Sequence, residues 1–239
     1  MTTTPVSLGR RLLAELLGTS LLVATVFGSG IMAQRLSPGD VGLALLENAI
    51  ATGAMLFVLI AVFGPISGAQ FNPVVTIADA WFGGIARRDI VPYVSVQIAG
   101  ACLGAILANL MFGLAAVNIS THVRSGSSTL LSEVIATVGL LIVIFGLVRG
   151  GRSAWIPAAV ACYIVGAYWF TASTSFANPA VTIGRMFSNT FAGIAPSSVP
   201  GFLVAQIVGG ALAIAVVTLL WPRPSHQQVT VVDVIEESR

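Results

Sequence analysis

The dipeptide Asn-Pro occurs twice in strongly apolar sequence, at Asn72-Pro73 and at Asn178-Pro179. Asn is a favoured N-cap residue, and Pro suits the first helical position because its φ is fixed and it has no N–H. About ten helix-compatible residues follow each Asn, and at ~1.5 Å per residue they span roughly half of a ~30 Å hydrocarbon core. The pair therefore predicts two half-helices that begin at mid-membrane depth. The alternative is two simple turns between ordinary membrane helices.

The composition indicates an integral membrane protein. The mean hydropathy is +0.95, 56 % of the residues are hydrophobic and 8 % are charged. These values are not those of a soluble domain, and a net charge of +2 gives no support for nucleic-acid binding. Cys102 and Cys162 lie in apolar runs without the spacing of a metal or redox site, so we expect neither a metal nor a cofactor.

Six apolar stretches are long enough to span a bilayer, and the half-helices follow the second and the fifth. The stretches are Leu12–Ala33, Gly42–Phe63, Ile90–Val117, Leu130–Val148, Ala154–Thr174 and Val199–Trp221. The predicted fold class is an all-α integral membrane protein with six transmembrane helices and two membrane-dipping half-helices. Its membrane domain would cover residues 10–222, between an N-terminal tail (1–9) and a polar C-terminal tail (223–239).

Arginines set the predicted orientation, because the chain has no lysine. If the N-terminus is cytoplasmic, only Arg35, Arg124 and Arg185 lie outside. The others then lie on the cytoplasmic side: Arg10, Arg11, Arg87, Arg88, Arg149, Arg152, Arg223 and Arg239. An excess of cytoplasmic arginine is typical of membrane proteins, so both termini are expected in the cytoplasm.

The two halves of the chain, about 10–117 and 128–222, repeat one pattern. Glu15 and Glu133 each lie near the start of the first span of a half, four residues before a threonine. Each half contains three spans, an odd number, so the second half enters the membrane upside down. The half-helices would then dip in from opposite faces, and their N-termini would meet near the midplane.

Two helix N-termini that meet at the midplane would form a polar, electropositive site. Each N-terminus presents free N–H groups and about half a positive charge. Asn72 and Asn178 can each cap a half-helix through the side-chain oxygen and leave the amide NH₂ for a passing solute. Such a site favours small neutral solutes with oxygen atoms and disfavours protons and cations.

The remaining ionisable groups in the apolar spans are few. Glu15 and Glu133 are costly at their depth, which favours a functional role by default. Their matched positions instead favour a structural role, in which each carboxylate accepts backbone N–H groups near a half-helix. No nucleophile–base or metal constellation occurs, so no catalytic residue is assigned and an enzyme is not expected. Asp79 is poorly placed for the helix dipole, and its expected partner is Arg87 or Arg88.

The stretch Ser67–Thr76 and the stretch Asn178-Pro179-Ala180 resemble the paired Asn-Pro-Ala loops of the aquaporin, or major intrinsic protein, family. Val74 stands where the first loop usually has alanine. The resemblance covers residues 10–222 and implies a homotetramer in membrane lipid, with one pore per subunit. It also implies that the buried carboxylates brace the two loops, and that the protein lies in a bacterial inner membrane.

The resemblance further implies the position of a selectivity filter, at Thr52, Gly166, Ser175 and Val181. Most family members have arginine at the position of Val181. Water-selective members have aromatic and histidine side chains at the positions of Thr52 and Gly166. Thr, Gly, Ser and Val together imply a wide and uncharged constriction.

The second loop, residues 180–194, resembles a bacterial subgroup often associated with arsenic-resistance operons. This likeness implies a passive channel for water, glycerol-like polyols and arsenous acid or methylated trivalent arsenicals. A water-selective channel is one alternative. An ion-coupled secondary transporter is another, because inverted repeats with broken helices also occur there.

Overall fold

The computed structural model describes residues 6–222, and within this range the chain is helical without strands. The predicted C-terminal tail, with Arg223 and Arg239, lies outside the described residues, as do residues 1–5. Six of the helices are long and apolar enough to cross a membrane, which confirms the predicted fold class. The helices are α1 (Leu8–Leu36), α2 (Val41–Ser67), α3 (Pro73–Phe82), α4 (Ile90–Met111), α5 (Ser127–Arg149), α6 (Ile156–Phe170), α7 (Pro179–Gly184) and α8 (Val199–Leu220).

The half-helices α3 and α7 begin as the sequence predicts. Asn72 and Asn178 are extended N-cap residues, with φ of −155° and −156°, and a proline follows each of them. The Oδ1 atom of Asn72 accepts a hydrogen bond from the Val74 backbone N–H at 3.0 Å. The Oδ1 atom of Asn178 accepts from the Ala180 N–H at 3.0 Å. Each half-helix is thus capped by its own asparagine.

Two helices end several residues before the predicted position. Helix α4 ends at Met111 rather than at Val117, and the chain then turns through Gly113, whose φ is 73°. Helix α6 ends at Phe170 rather than at Thr174, because Thr174 itself has a φ of 60°. Beyond α7, the half-helix continues as a single 3₁₀ turn over Arg185–Phe187.

The inverted repeat is visible in the helix packing. Helix α1 packs along α4, and the equivalent helix α5 packs along α8. Glycines allow the backbones to touch: a Cβ on Gly100 would lie 2.6 Å from the Leu16 carbonyl oxygen. A Cβ on Gly209 would lie 2.7 Å from the Val134 carbonyl oxygen. Small residues at such crossings are the usual means of close helix packing in membranes.

Candidate functional site

A cavity of about 260 Å³ lies between the two halves and is lined by both half-helices. One wall is apolar and comes from α1, α2, α5 and α6: Leu22, Leu56, Ile60, Ile144, Val160 and Ile164. The opposite wall is formed by the loops that precede α3 and α7, including residues 68–72, 175, 176 and 178. The cavity therefore offers an apolar face and a polar face to the same solute.

The two asparagines line the cavity and tie the two loops to each other. Asn72 donates from Nδ2 to the Ala177 carbonyl oxygen at 2.7 Å, and Asn178 donates from Nδ2 to the Phe71 carbonyl oxygen at 2.8 Å. The sequence predicted that the whole NH₂ group would be left for a solute. The structure instead shows one N–H of each amide bound to the other loop, so that one N–H remains.

Glu15 braces the first loop. Its Oε1 atom accepts from the Ser67 hydroxyl at 2.6 Å and from the Gln70 backbone N–H at 3.0 Å. Its Oε2 atom accepts from the Phe71 N–H at 2.7 Å and from Gln97 Nε2 at 2.8 Å. Four donors satisfy a fully buried carboxylate that would otherwise be costly inside a membrane.

Glu133 braces the second loop in the same manner. It accepts from the backbone N–H groups of Phe176 and Ala177, both at 2.9 Å, and from Gln206 Nε2 at 2.7 Å. Phe71 and Ala177 have left-handed backbones, with φ of 48° and 47°. Such a conformation costs roughly 1–2 kcal/mol per residue, and the bonds to the carboxylates offset it. The carbonyls of these same two residues receive the asparagine amides, so each brace positions an acceptor.

Asp79 has a different partner from the one that the sequence suggested. Its Oδ2 atom accepts from Gln70 Nε2 at 2.7 Å, and both side chains line the cavity. Neither Arg87 nor Arg88 pairs with it among the described residues, and Arg88 Nε lies 3.9 Å from Asp89 Oδ1. The prediction of an arginine partner is therefore wrong. Gln70 lies in the loop before α3 and Asp79 lies within α3, and only the folded loop brings them together.

Three residues assigned to the filter line the cavity: Thr52 from α2, Ser175 from the second loop and Val181 from α7. All three are buried. Thr52 and Ser175 contribute hydroxyl groups, and Val181 contributes an apolar surface. They lie in the half of the cavity that is remote from the chain termini, since α7 leads from the midplane towards that face.

Gly166 does not line the cavity and is exposed. It lies two residues from both Ile164 and Tyr168, which do line the cavity, so it points to the opposite side of α6. The structure therefore does not bring Gly166 together with the other three residues assigned to the filter. Tyr168 lines this wall, and its phenol donates to Thr52 Oγ1 at 3.3 Å. A stripe with a period of four residues along α6, from Ile156 to Tyr168, could have indicated this face.

The cavity is also lined by a positively charged side chain, that of Arg185, which the sequence analysis did not assign to the filter. Arg185 follows Val181 by one helical turn, lines the cavity and is 3 % exposed. Its Nε donates to the Ala192 carbonyl oxygen, and its guanidinium carbon lies 3.4 Å from the centroid of the Phe176 ring. The lining of the cavity thus includes a guanidinium group in addition to Thr52, Ser175 and Val181.

Arg124 lies behind this part of the cavity. Its Nε donates to the Gly193 carbonyl at 2.8 Å and its Nη2 to the Phe191 carbonyl at 3.1 Å. Its guanidinium carbon lies 5.3 Å from the centroid of Phe176. Burial lowers the pKa of the Arg124 guanidinium, while the surrounding tyrosine and glutamate act in the opposite direction. Arg124 is not a lining residue, so we regard it as a brace of the outer loop.

The chain is similar to known proteins over most of its length. A family model described as "Major intrinsic protein" matches residues 2–175. "Aquaglyceroporin AqpS" of Rhizobium meliloti is 51 % identical over 225 residues, which cover 93 % of this chain and 96 % of that protein. A "Glycerol uptake facilitator protein" of Streptococcus pneumoniae is 32 % identical, with 87 % of this chain and 98 % of that protein covered. "Aquaporin Z" of Photorhabdus laumondii is 29 % identical, with 89 % and 97 % covered.

A solved structure shows the same fold. The X-ray structure of the aquaglyceroporin from Plasmodium falciparum superposes with a TM-score of 0.70 and covers 87 % of this chain and 95 % of that one. The sequence identity is 22 %, so this likeness shows the fold alone.

Proposed function

The chain belongs to the major intrinsic protein family, and from this premise we propose that it conducts water, glycerol and other small uncharged solutes passively. The observation that carries the proposal is the pair of half-helix N-termini, joined at the cavity by crossed bonds between amides and carbonyls. The positive ends of two helices meet there, which disfavours a cation. A neutral solute does not meet this barrier.

The two walls of the cavity suit molecules that are apolar on one side and hydroxylated on the other. A polyol can lay its carbon chain against the aliphatic wall of Leu56, Ile60 and Ile164. Its hydroxyl groups then face the polar loops, where Asn72 and Asn178 each retain one N–H donor. A water oxygen that accepts from both amides is turned away from its neighbours in the file. The hydrogen-bonded chain that a proton would follow is thereby interrupted.

Uncharged trivalent arsenic acids are a second class of solute in this proposal. Undissociated arsenous acid carries three hydroxyl groups on a small centre, so it presents the same donors and acceptors as a short polyol. The resemblance of residues 180–194 to a subgroup associated with arsenic resistance supports this extension. Methylated trivalent arsenicals have an apolar methyl side that fits the aliphatic wall.

The proposal includes the assembly and its place in the cell. The relatives are named as channels or facilitators and not as enzymes, and the chain is a multi-pass membrane protein. We assign it to the bacterial cell membrane as a homotetramer with one pore per subunit. Six crossings place both ends of the described chain on one face. That face also carries six arginines, which supports a cytoplasmic position: Arg10, Arg11, Arg87, Arg88, Arg149 and Arg152.

Stopped-flow light scattering of proteoliposomes in hyperosmotic glycerol tests the proposal. Shrinkage reports water leaving, and reswelling reports glycerol entering; both should be faster than in empty liposomes and unaffected by ionophores. Ile164→Trp should block both phases, because the side chain lines the cavity. Cys162→Trp is the matched control, since this residue is exposed on the same helix.

Other outcomes separate the alternatives. Fast shrinkage without reswelling would indicate a water-selective channel. Uptake that collapses when an ionophore removes the ion gradient would indicate a coupled transporter. Arsenous acid is tested by the same reswelling experiment, with accumulated arsenic measured in the liposomes.

A further inference from the structure

We propose that Arg185 is the charge that excludes cations from the half of the pore remote from the chain termini. The inference rests on the proposed channel function and goes beyond it, because it assigns the exclusion in this half to one side chain. The half-helix N-termini at the midplane provide partial charges. Arg185 provides a full one, about one helical turn beyond the residue that the sequence indicated.

The position of Arg185 brings its charge into the constriction. Val181 and Arg185 are four residues apart and both line the cavity, so they share one face of the half-helix and the 3₁₀ turn that continues it. A helical side chain leans towards the N-terminus and covers the turn before its own Cα. The contact with Phe176, which precedes the half-helix, shows this reach: 3.4 Å separates the guanidinium carbon from the ring centroid. The charge thus lies deeper in the membrane than the backbone of residue 185.

The charge of Arg185 is not neutralised by a neighbour. In the part of the chain that the structure describes, no carboxylate lies within 4.0 Å of its guanidinium nitrogens. The Nε atom donates to the Ala192 carbonyl, and the described contacts leave the Nη atoms without a hydrogen-bond partner. A buried, unpaired cation is costly unless it borders water. Here it borders the cavity, where the Nη donors are available to solute oxygens and repel cations.

The surrounding packing holds the guanidinium in place. The Phe176 ring, on which it lies, packs against Phe202 with centroids 5.0 Å apart. Arg124 binds the carbonyls on either side of Ala192 and so fixes the loop that accepts from Arg185 Nε. The cation is therefore fixed in position rather than free to swing out of the pore, as a barrier to ions requires.

Cation leak into proteoliposomes, measured together with water and glycerol flux, tests the inference. Arg185→Gln should raise the leak of sodium ions and protons by about tenfold or more, with water flux preserved, because the barrier loses a full charge. Arg185→Lys should keep the exclusion, since the charge remains. Arg35→Gln is the matched control: it removes an exposed arginine that does not line the cavity and does not contact the Arg185 loop, and the leak should not rise.

A rescue variant separates a charge effect from a structural one. Val181→Arg combined with Arg185→Gln returns a cation to the same face and should restore exclusion. If Arg185 only braces the loop, Arg185→Lys will leak as Arg185→Gln does, and the double variant will not recover; this result would overturn the inference.

A second pair of variants leaves Arg185 and its contacts intact. Val181→Asp places a carboxylate one turn away, where it neutralises the guanidinium and should raise cation leak. Val181→Asn has the same size without the charge and should not. If neither Arg185→Gln nor Val181→Asp raises the leak while water and glycerol still pass, the inference fails and the proposed channel stands. If the unmodified protein passes neither solute, the proposed function itself fails.

Discussion

Each midplane asparagine binds in two directions with one amide group. The Oδ1 atom caps the residue's own half-helix, and the Nδ2 atom holds the carbonyl of the other loop. An aspartate could replace only the first function, because it is an acceptor without an N–H donor. A single atom exchange therefore separates the cap from the cross-link.

Asn178→Asp tests this division. The variant keeps the cap, cannot donate to the Phe71 carbonyl 2.8 Å away, and adds a negative charge beside the cavity. We expect proton leak to rise and the free energy of unfolding to fall by about 1–3 kcal/mol. Collapse of a pH gradient across proteoliposomes measures the first, and thermal unfolding in detergent the second. Asn189→Asp is the control, since Asn189 Oδ1 only accepts, from the Thr121 N–H at 3.0 Å. Intact proton exclusion in Asn178→Asp would refute the role given to the amide.

Val181→Arg, alone, should make the pore more selective for water. Val181 lines the cavity together with Thr52 and Ser175, so a longer side chain there reduces the opening. We expect glycerol flux to fall by about tenfold or more while part of the water flux remains, because a narrower polar constriction excludes the larger solute first. The ratio of reswelling to shrinkage rates measures the effect. An unchanged ratio would contradict the placement of residue 181 at the constriction.

Local sequence rules predicted the N-caps of α3 and α7. The other residues that line the cavity are determined by tertiary structure, which these rules do not describe. Asn-Pro specifies a helix start by itself, and the structure has α3 and α7 where it predicts them. Gly166 was placed by counting along the chain, which does not show which face of α6 meets the cavity. The reach of Arg185 into the pore depends on Phe176 and on the Ala192 carbonyl, contacts that no local pattern encodes.

At the scale of the helices, the two halves use different residues where each half-helix packs against a long helix. Val74 follows the first Asn-Pro, and a Cβ on Gly210 of α8 would lie 2.5 Å from its Cγ1 atom. In the other half the equivalent positions hold Ala180 and, in α4, Ala101. The larger side chain of Val74 in α3 is therefore accommodated by a glycine, Gly210, in α8. This match explains why valine is accommodated in the first motif.

A double-mutant cycle tests the match. Gly210→Ala should destabilise the protein by about 1–3 kcal/mol, because its Cβ overlaps Val74 in a packed interior. The double variant Val74→Ala with Gly210→Ala restores the combination found in the second half and should recover most of this loss. Thermal unfolding of the single and double variants in detergent measures the coupling. Additive effects would show that the two residues do not accommodate each other.

The helix ends illustrate the limit of reading elements from the sequence. Apolar residues continue past Phe170, so hydropathy extends α6 to Thr174. The structure ends it earlier because Thr174 and Ser175 have left-handed backbones, with φ of 60° and 51°. The next two residues donate to Glu133 from another helix. The stop signal therefore lies about 40 residues away in the chain and has no local counterpart.

For the molecule as a whole, the inverted repeat makes the two carboxylates equivalent. Glu15→Gln and Glu133→Gln should each lower stability by about 2 kcal/mol or more, because an amide turns an N–H group towards donors that then lack an acceptor. Both variants should also lose solute flux. Glu47→Gln is the control, since Glu47 accepts from the Ser37 hydroxyl in a less buried site.

The yield of monodisperse protein and the glycerol flux of proteoliposomes measure these effects. A large loss in one carboxylate variant and none in the other would argue against equivalent braces. The repeat itself was readable from the order of matched residues. The donors of each brace were not, because they come from the loop and from a separate helix of the same half.

The crossed amide bonds also bear on how the protein is made. The donor of one bond and its acceptor are 105 residues apart in the chain, and those of the other are 107 apart. When α3 leaves the ribosome, the carbonyl that will receive the Asn72 amide has not yet been synthesised. Irregular backbone at membrane depth is tolerated only where it is shielded by protein or water. The first loop therefore lacks this partner until the second half has been synthesised, and the pore is complete only when the two halves pack together.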